Sequence, residues 1–248
     1  ATQEERAVLQ KTLAGVRTVL SVDRLDYSKG ILNRLEGFEL FLENYPEFRA
    51  SVVLLLVVVP SRIGVYQYDL MKKQIEEFVG RINGKFGTVG WTPVIYQYRP
   101  LSLHPLVALY SLSDVALVTP LRDGMNLIAK EYVASRTDGT GVLILSEMAG
   151  AAKELGEAII VNPNDRREIA AALKEALDMP VEEQQRRNRV MQERLRRYDV
   201  IRWAADFVAQ LVAMDEVQQR YKAKMLSAAS KQRITECYAG ARRRLILL

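Results

Sequence analysis

The chain has 248 residues and is 49% hydrophobic, 26% charged and 8% aromatic, a globular composition that excludes a disordered, collagen-like or coiled-coil protein. Its net charge of +5 is uneven: residues 217–248 hold eight Lys or Arg against one acid, while residues 1–216 come to −2. The basic excess belongs to the tail, so the body lacks the positive field that supplies nucleic-acid affinity, and no nucleic-acid partner is expected.

Along the chain, short β-branched runs alternate with helical patterns. A strand at 16–22 precedes a helix at 31–44, a strand at 51–60 a helix at 67–83, and a strand at 93–98 a helix at 102–112. Further strands follow at 114–120, 141–146 and 157–161, with helices at 126–135, 150–155 and 166–178 between and after them. Residues 52–60, VVLLLVVVP, are apolar on consecutive positions, which suits a strand buried on both faces of a parallel sheet. The alternation predicts βαβ units and a doubly wound, Rossmann-like α/β sheet. From 181 the pattern is helical only, with helices at about 181–197, 200–214 and 216–236. The domain expectation is a Rossmann-like domain over 1–215. A helical linker and the start of a following domain, cut off at Leu248, occupy 216–248.

No apolar run approaches the roughly 20 residues that cross a bilayer, and ATQEER lacks a signal-peptide core, so a cytoplasmic protein without a membrane partner is expected. The lone cysteine, Cys237, excludes a disulfide framework, and the lone histidine, His104, excludes most zinc and non-haem iron sites. Trp91 and Trp203 read as packing residues rather than sugar platforms, with Trp203 and Phe207 on a helix that can leave them exposed.

Open parallel sheets bind ligands at the carboxyl ends of their strands, which singles out the loops there. The first reads Asp23, Arg24, Leu25, Asp26, Tyr27, Ser28, Lys29, Gly30. Two cations in a turn that opens a helix make a phosphate site, because helix-start N–H groups already favour an anion. The alternative is that Arg24 and Lys29 pair with Asp23 and Asp26 on the surface. The second loop leaves strand DVALVTP as LRDGMNL, 121–127. Asp123-Gly124 predicts a turn with positive φ that turns the N–H groups of Met125, Asn126 and Leu127 outward. Glu131, one turn beyond Leu127, can accept hydrogen bonds from a ribose diol. The alternative is that Asp123 only caps the helix and Glu131 pairs in solvent. Together the loops fit a nucleotide diphosphate joined to a polyol, with Arg24 and Lys29 supplying the positive charge a metal would bring.

VDRLDYSKGI at 22–31, PSR at 60–62, GRINGKFGTVGWTPV at 80–94 and DVALVTPLRDGMNLIAKEYVA at 114–134 closely resemble the trehalose-6-phosphate synthase family over about 16–215. That resemblance implies the C-terminal, donor-binding half of a GT-B glycosyltransferase that moves glucose from UDP-glucose to glucose 6-phosphate, retaining anomeric configuration, with no cofactor or metal. It implies that Arg24 and Lys29 bind the UDP phosphates and stabilise the leaving group, with Asp123 beside them in the catalytic set. Asp123, Gly124, Met125, Asn126 and Leu127 would hold the glucosyl unit and pyrophosphate, Glu131 the ribose, and Arg62 the acceptor phosphate. Leu101 stands where the family has a Phe whose backbone meets the uracil. The family's N-terminal half, with its catalytic-region His and acceptor pocket, is absent, so the chain alone is expected to bind donor and turn over little or nothing. RRRLILL at 242–248 resembles the first strand of the phosphatase half that follows in bifunctional relatives. The other readings are a transferase for a different nucleotide sugar or pseudo-sugar, and a non-catalytic sugar-phosphate-sensing module.

Overall fold

The computed structural model describes residues 15–223 and 226–243. Six strands form one sheet: β1 (Arg17–Arg24), β2 (Val52–Val59), β3 (Val94–Tyr98), β4 (Val115–Val118), β5 (Val142–Ser146) and β6 (Ile159–Val161). Their order is β3-β2-β1-β4-β5-β6, and every pairing is parallel. This is the doubly wound order. β2 is buried along seven of its eight residues, which is why its sequence shows no alternation.

Between the strands run α1 (Ile31–Asn44), α2 (Tyr66–Phe86), α3 (Leu103–Leu112) and α4 (Leu127–Ser135), followed after β6 by α5 (Arg166–Asp178) and α6 (Val181–Arg197). Right-handed crossovers put α1 and α2 on one face and α3 and α4 on the other. Helix contacts follow that division: α1 packs on α2 and α5, and α4 on α3 and α6. Gly37 of α1 lets α5 come close, since a Cβ there would lie 2.4 Å from Ile169 Cγ2. Trp91 is buried and donates its indole N–H to the Val52 carbonyl at 3.0 Å, a packing role as expected.

Three local expectations change. β1 runs on to Arg24, so Asp23 and Arg24 are strand residues rather than loop residues. The helix expected at 150–155 is a single 3-10 turn, Gly150–Lys153, held against the loop after β4. Helix α7 (Val200–Ala223) runs unbroken through positions 215 and 216, because no Gly or Pro interrupts it there.

Among the described residues, those up to Arg197 form one compact unit and those from Tyr198 on a second. Within the second lie α7 and α8 (Ala228–Gly240), the latter capped by the Ser227 hydroxyl accepting from the Ser230 N–H. Trp203 and Phe207 stack at 5.5 Å between ring centroids and are both exposed. The strand expected in 242–248 lies, from 244 on, outside the described residues. No described helix is long and apolar enough to cross a membrane.

Candidate functional site

The strand order reverses between β1 and β4, which are neighbours in the sheet although two strands separate them in sequence. Chains leaving their carboxyl ends diverge and open a crevice there. The two loops singled out by sequence are the two that border it.

In the first, Asp26 accepts hydrogen bonds from the Ser28 N–H at 2.9 Å and the Ser28 hydroxyl at 2.8 Å, closing a 3-10 turn over Tyr27–Lys29. Burial works against the charged form of Asp26, but the Ser28 bonds and the Lys29 and Arg24 charges outweigh it and lower its pKa. Gly30 follows at φ 65°, and a Cβ on it would lie 2.6 Å from the Thr119 carbonyl oxygen. Only glycine meets both demands. The Ser28 carbonyl then accepts from the Leu121 N–H at 2.8 Å and the Arg122 N–H at 3.2 Å, fastening the first loop to the second.

In the second loop, Asp123 takes Lys29 Nζ on Oδ2 at 2.5 Å, with Asn126 Nδ2 on the same oxygen at 3.3 Å. Its Oδ1 accepts the Met125 N–H at 3.2 Å. Burial raises the Asp123 carboxyl, yet the Lys29 ammonium and these donors more than compensate and hold it below the ordinary carboxylate value. Three readings are corrected here. Positive φ falls on Asn126, at 76°, and not on Gly124. The side chain that caps α4 is that of Asn126, accepting the Ala129 N–H at 3.1 Å, and not that of Asp123. The Met125 N–H turns back to Asp123 instead of facing outward. The loop after β5 braces this turn: the Gly150 N–H donates to the Asp123 carbonyl at 3.0 Å, and the Ala151 N–H to that of Met125 at 2.8 Å. A Cβ on Gly150 would fall 2.0 Å from the Gly124 oxygen, so the brace requires glycine.

Arg24, Lys29, Asp123, Met125, Asn126, Leu127 and Glu131 line one cleft of about 520 Å³, together with Asp23, Leu106 and Ile128. Neither surface pairing of the first loop occurs as the alternative had it, because Asp23 pairs with Arg34 at 2.8 Å and Lys29 with Asp123. Glu131 accepts from the Tyr110 hydroxyl at 2.9 Å, which orients its carboxylate. Burial, with the Glu131 charge beside it, pushes the Tyr110 phenol above its ordinary value. Three expected residues stand apart from the cleft wall. Gly124 is exposed, Leu101 packs against the core ahead of α3, and Arg62 lies on the exposed loop after β2 with its guanidinium 5.3 Å from the centre of the Tyr68 ring.

Arg34, Tyr110 and Gly150 escaped the sequence reading. For Arg34 a signal existed: it sits on the α1 stripe formed by Ile31, Leu35, Phe38 and Leu42, where a charged residue demands a buried partner. Tyr110 and Gly150 carry no comparable local mark, since their partners are distant in sequence.

Comparison with known proteins shows the family and the fold. The model of glycosyltransferase family 20 matches residues 1–213. A bifunctional trehalose-6-phosphate synthase/phosphatase of Thermoproteus tenax is 50% identical over 247 residues, covering 99% of this chain and 34% of that protein. Among solved structures, an α,α-trehalose-phosphate synthase (UDP-forming) from Burkholderia xenovorans in complex with glucose-6-phosphate aligns with a TM-score of 0.81 at 44% identity, over 84% of this chain and 46% of that one. The E. coli trehalose-6-phosphate protein bound with UDP-2-fluoro glucose aligns with a TM-score of 0.80 at 41% identity, over 85% and 50%. The chain thus spans a third to a half of the length of these relatives. With its parallel sheet, its switch-point cleft and a family match running from residue 1 to 213, the chain belongs to glycosyltransferase family 20.

Proposed function

We propose that this chain is the donor-binding half of a UDP-forming trehalose-6-phosphate synthase, a GT-B enzyme that transfers glucose from UDP-glucose to glucose 6-phosphate with retention. The observation that carries the reading is the single cleft at the β1/β4 switch point, which gathers Arg24 and Lys29 with Asp123, Met125, Asn126, Leu127 and Glu131. Arg24 offers a guanidinium fork and Lys29 a compact ammonium to the diphosphate, whose negative charge grows as the glycosidic bond breaks. These cations, with the positive end of α4, do the electrostatic work that a metal does elsewhere, so the reading includes no cofactor. Asp123 and residues 124–127 hold the glucosyl unit, and Glu131, steadied by Tyr110, takes the ribose hydroxyls. Arg62 binds the acceptor phosphate, and the Leu101 backbone meets the base.

Two related structures support both ligands, since one was solved with glucose-6-phosphate and another with UDP-2-fluoro glucose. Because the chain matches under half of most relatives, the reading assigns the acceptor pocket to an N-terminal half, and expects the 248 residues alone to bind donor without appreciable turnover. It divides the chain into the donor domain, 1–215, and a linker, 216–248, that leads into a phosphatase half. The 50% identity to a bifunctional enzyme over 99% of the chain supports that continuation. Continuation past Leu248 without an Asp-x-Asp motif would remove it. The reading includes a cytoplasmic location.

Calorimetric titration of the chain with UDP, UDP-glucose, ADP-glucose and GDP-glucose tests the reading. UDP and UDP-glucose bind, and Arg24→Ala or Lys29→Ala weakens them by about tenfold or more, the worth of one charge-assisted phosphate contact. Equal affinity for every nucleotide, or binding indifferent to both substitutions, would overturn it.

A further inference from the structure

Arg34 has a wholly buried side chain, and all four of its partners lie around the switch point. Its Nε donates to Thr119 Oγ1 at 3.1 Å, just past β4. Its Nη1 donates to Ser21 Oγ and, at 2.8 Å, to Asp23 Oδ2, both on β1. Its Nη2 donates to the Lys29 carbonyl at 3.0 Å, in the first loop. One planar group therefore joins the two strands that flank the cleft to the backbone of the residue that carries the cleft's ammonium.

The charges lining the cleft show why this matters. Asp23, Asp123 and Glu131 are acids, and only Arg24 and Lys29 are cations, so the lining alone is net negative. Lys29 is moreover engaged by Asp123. A cleft with that balance repels a diphosphate. Arg34 does not line the cleft, but its charge stands 2.8 Å behind Asp23 and cancels it. A packing role would not need this: an apolar residue of similar volume often replaces a buried ion pair without loss of stability.

We propose that Arg34 is a positioning residue for the nucleotide diphosphate: it neutralises Asp23 from behind and anchors the Lys29 backbone, which makes the cleft acceptable to phosphate. This rests on the nucleotide-sugar reading above. It predicts a defect that scales with ligand charge, which a general packing defect does not.

Calorimetry with UDP and with uridine, on the parent chain and four variants, tests it. In titrations at alkaline pH, where Asp23, whose carboxyl burial raises, still ionises without its partner, Arg34→Met weakens UDP by about tenfold or more and leaves uridine within about twofold, because only the phosphates feel the unpaired carboxylate. Adding Asp23→Asn to Arg34→Met restores UDP binding to within about threefold of the parent. Arg34→Lys, which keeps the charge, stays within about fivefold. Asp23→Asn alone tightens UDP by about threefold with no effect on uridine. Should Arg34→Met not fold, the single Asp23→Asn and the folded double variant carry the test. UDP binding unaltered in Arg34→Met or Asp23→Asn, equal losses of UDP and uridine, or no recovery in the double variant would each overturn the proposal. A parent chain that fails to bind UDP defeats the nucleotide-sugar reading and this proposal with it, whereas a parent that binds with indifferent variants defeats the role of Arg34 alone.

Discussion

Lys29 Nζ lies 2.5 Å from Asp123 Oδ2, across 94 residues of sequence, and this contact ties together the loops after β1 and β4 that line the cleft. Both side chains are largely sheltered, at 14% and 16% exposure, so solvent screens the pair less than a surface bridge. The carboxylate thus holds the ammonium that the proposed function assigns to phosphate. A diphosphate entering the cleft therefore competes with Asp123 for Lys29.

That pair sets a pH dependence. The Asp123 carboxyl is lowered in the folded state from its ordinary 3.8. A depressed carboxyl contributes stability that is fully present above its unfolded pKa and is lost as pH falls through the folded value. Melting temperatures of the parent and Asp123→Asn should differ most above pH 5 and converge below pH 3.8. A gap that stays constant down to pH 2.5 would show that the pair contributes nothing.

Two glycines in the same region should behave oppositely. Gly150→Ala puts a methyl into the Gly124 carbonyl, a backbone atom that no rotamer change can move aside. It should cost about 2–3 kcal/mol, within the range of overpacked sites. Gly124→Ala meets nothing within 4 Å and has no positive φ, so its unfolding free energy should stay within about 0.5 kcal/mol of the parent. The check is urea denaturation of both variants under identical conditions.

A third glycine tests the packing of α1 on α5, remote from the cleft loops. Gly37→Ala would bring its Cβ to 2.4 Å from Ile169 Cγ2. The substitution should destabilise by about 1–3 kcal/mol. Combined with Ile169→Ala it should cost less than the sum of the two single changes, since the smaller residue accepts the methyl. Additive losses in a double-mutant cycle would rule out direct contact as the cause.

Tyr110→Phe removes the hydroxyl that orients Glu131 without removing the ring that packs on Tyr132. Stability should change little, and UDP affinity should fall by about threefold to tenfold, the worth of one hydrogen bond to a charged group acting through its orientation. The loss should disappear for 2′,3′-dideoxy-UDP, which lacks the hydroxyls that Glu131 is assigned. Equal losses for both ligands would place the effect elsewhere.

The sheet was legible because burial on both faces leaves a sequence mark. β2 and β5 are runs of consecutive Val, Leu and Ile, and all six strands fall within a few residues of their expected bounds. Strand ends were less legible: β1 reaches Arg24 because Asp23 and Arg24 pair through their backbones with Val58 and Val59, whatever their side-chain polarity. The helical extension kept its type but not its division, since nothing local marks where α7 stops.

Sequence alone determined the strand-and-helix alternation and the charged residues of the two loops, because periodicity and composition are local properties that each segment carries by itself. Only the tertiary structure decided which acid meets which base. Lys29 lies three residues from Asp26 yet bonds Asp123, and Asp23 sits beside Arg24 yet bonds Arg34. The physical reason is burial: a carboxylate withdrawn from water must take the cation that the fold brings within hydrogen-bond reach, which for Asp123 lies 94 residues away across the crossovers and for Asp23 lies on the next helix, α1.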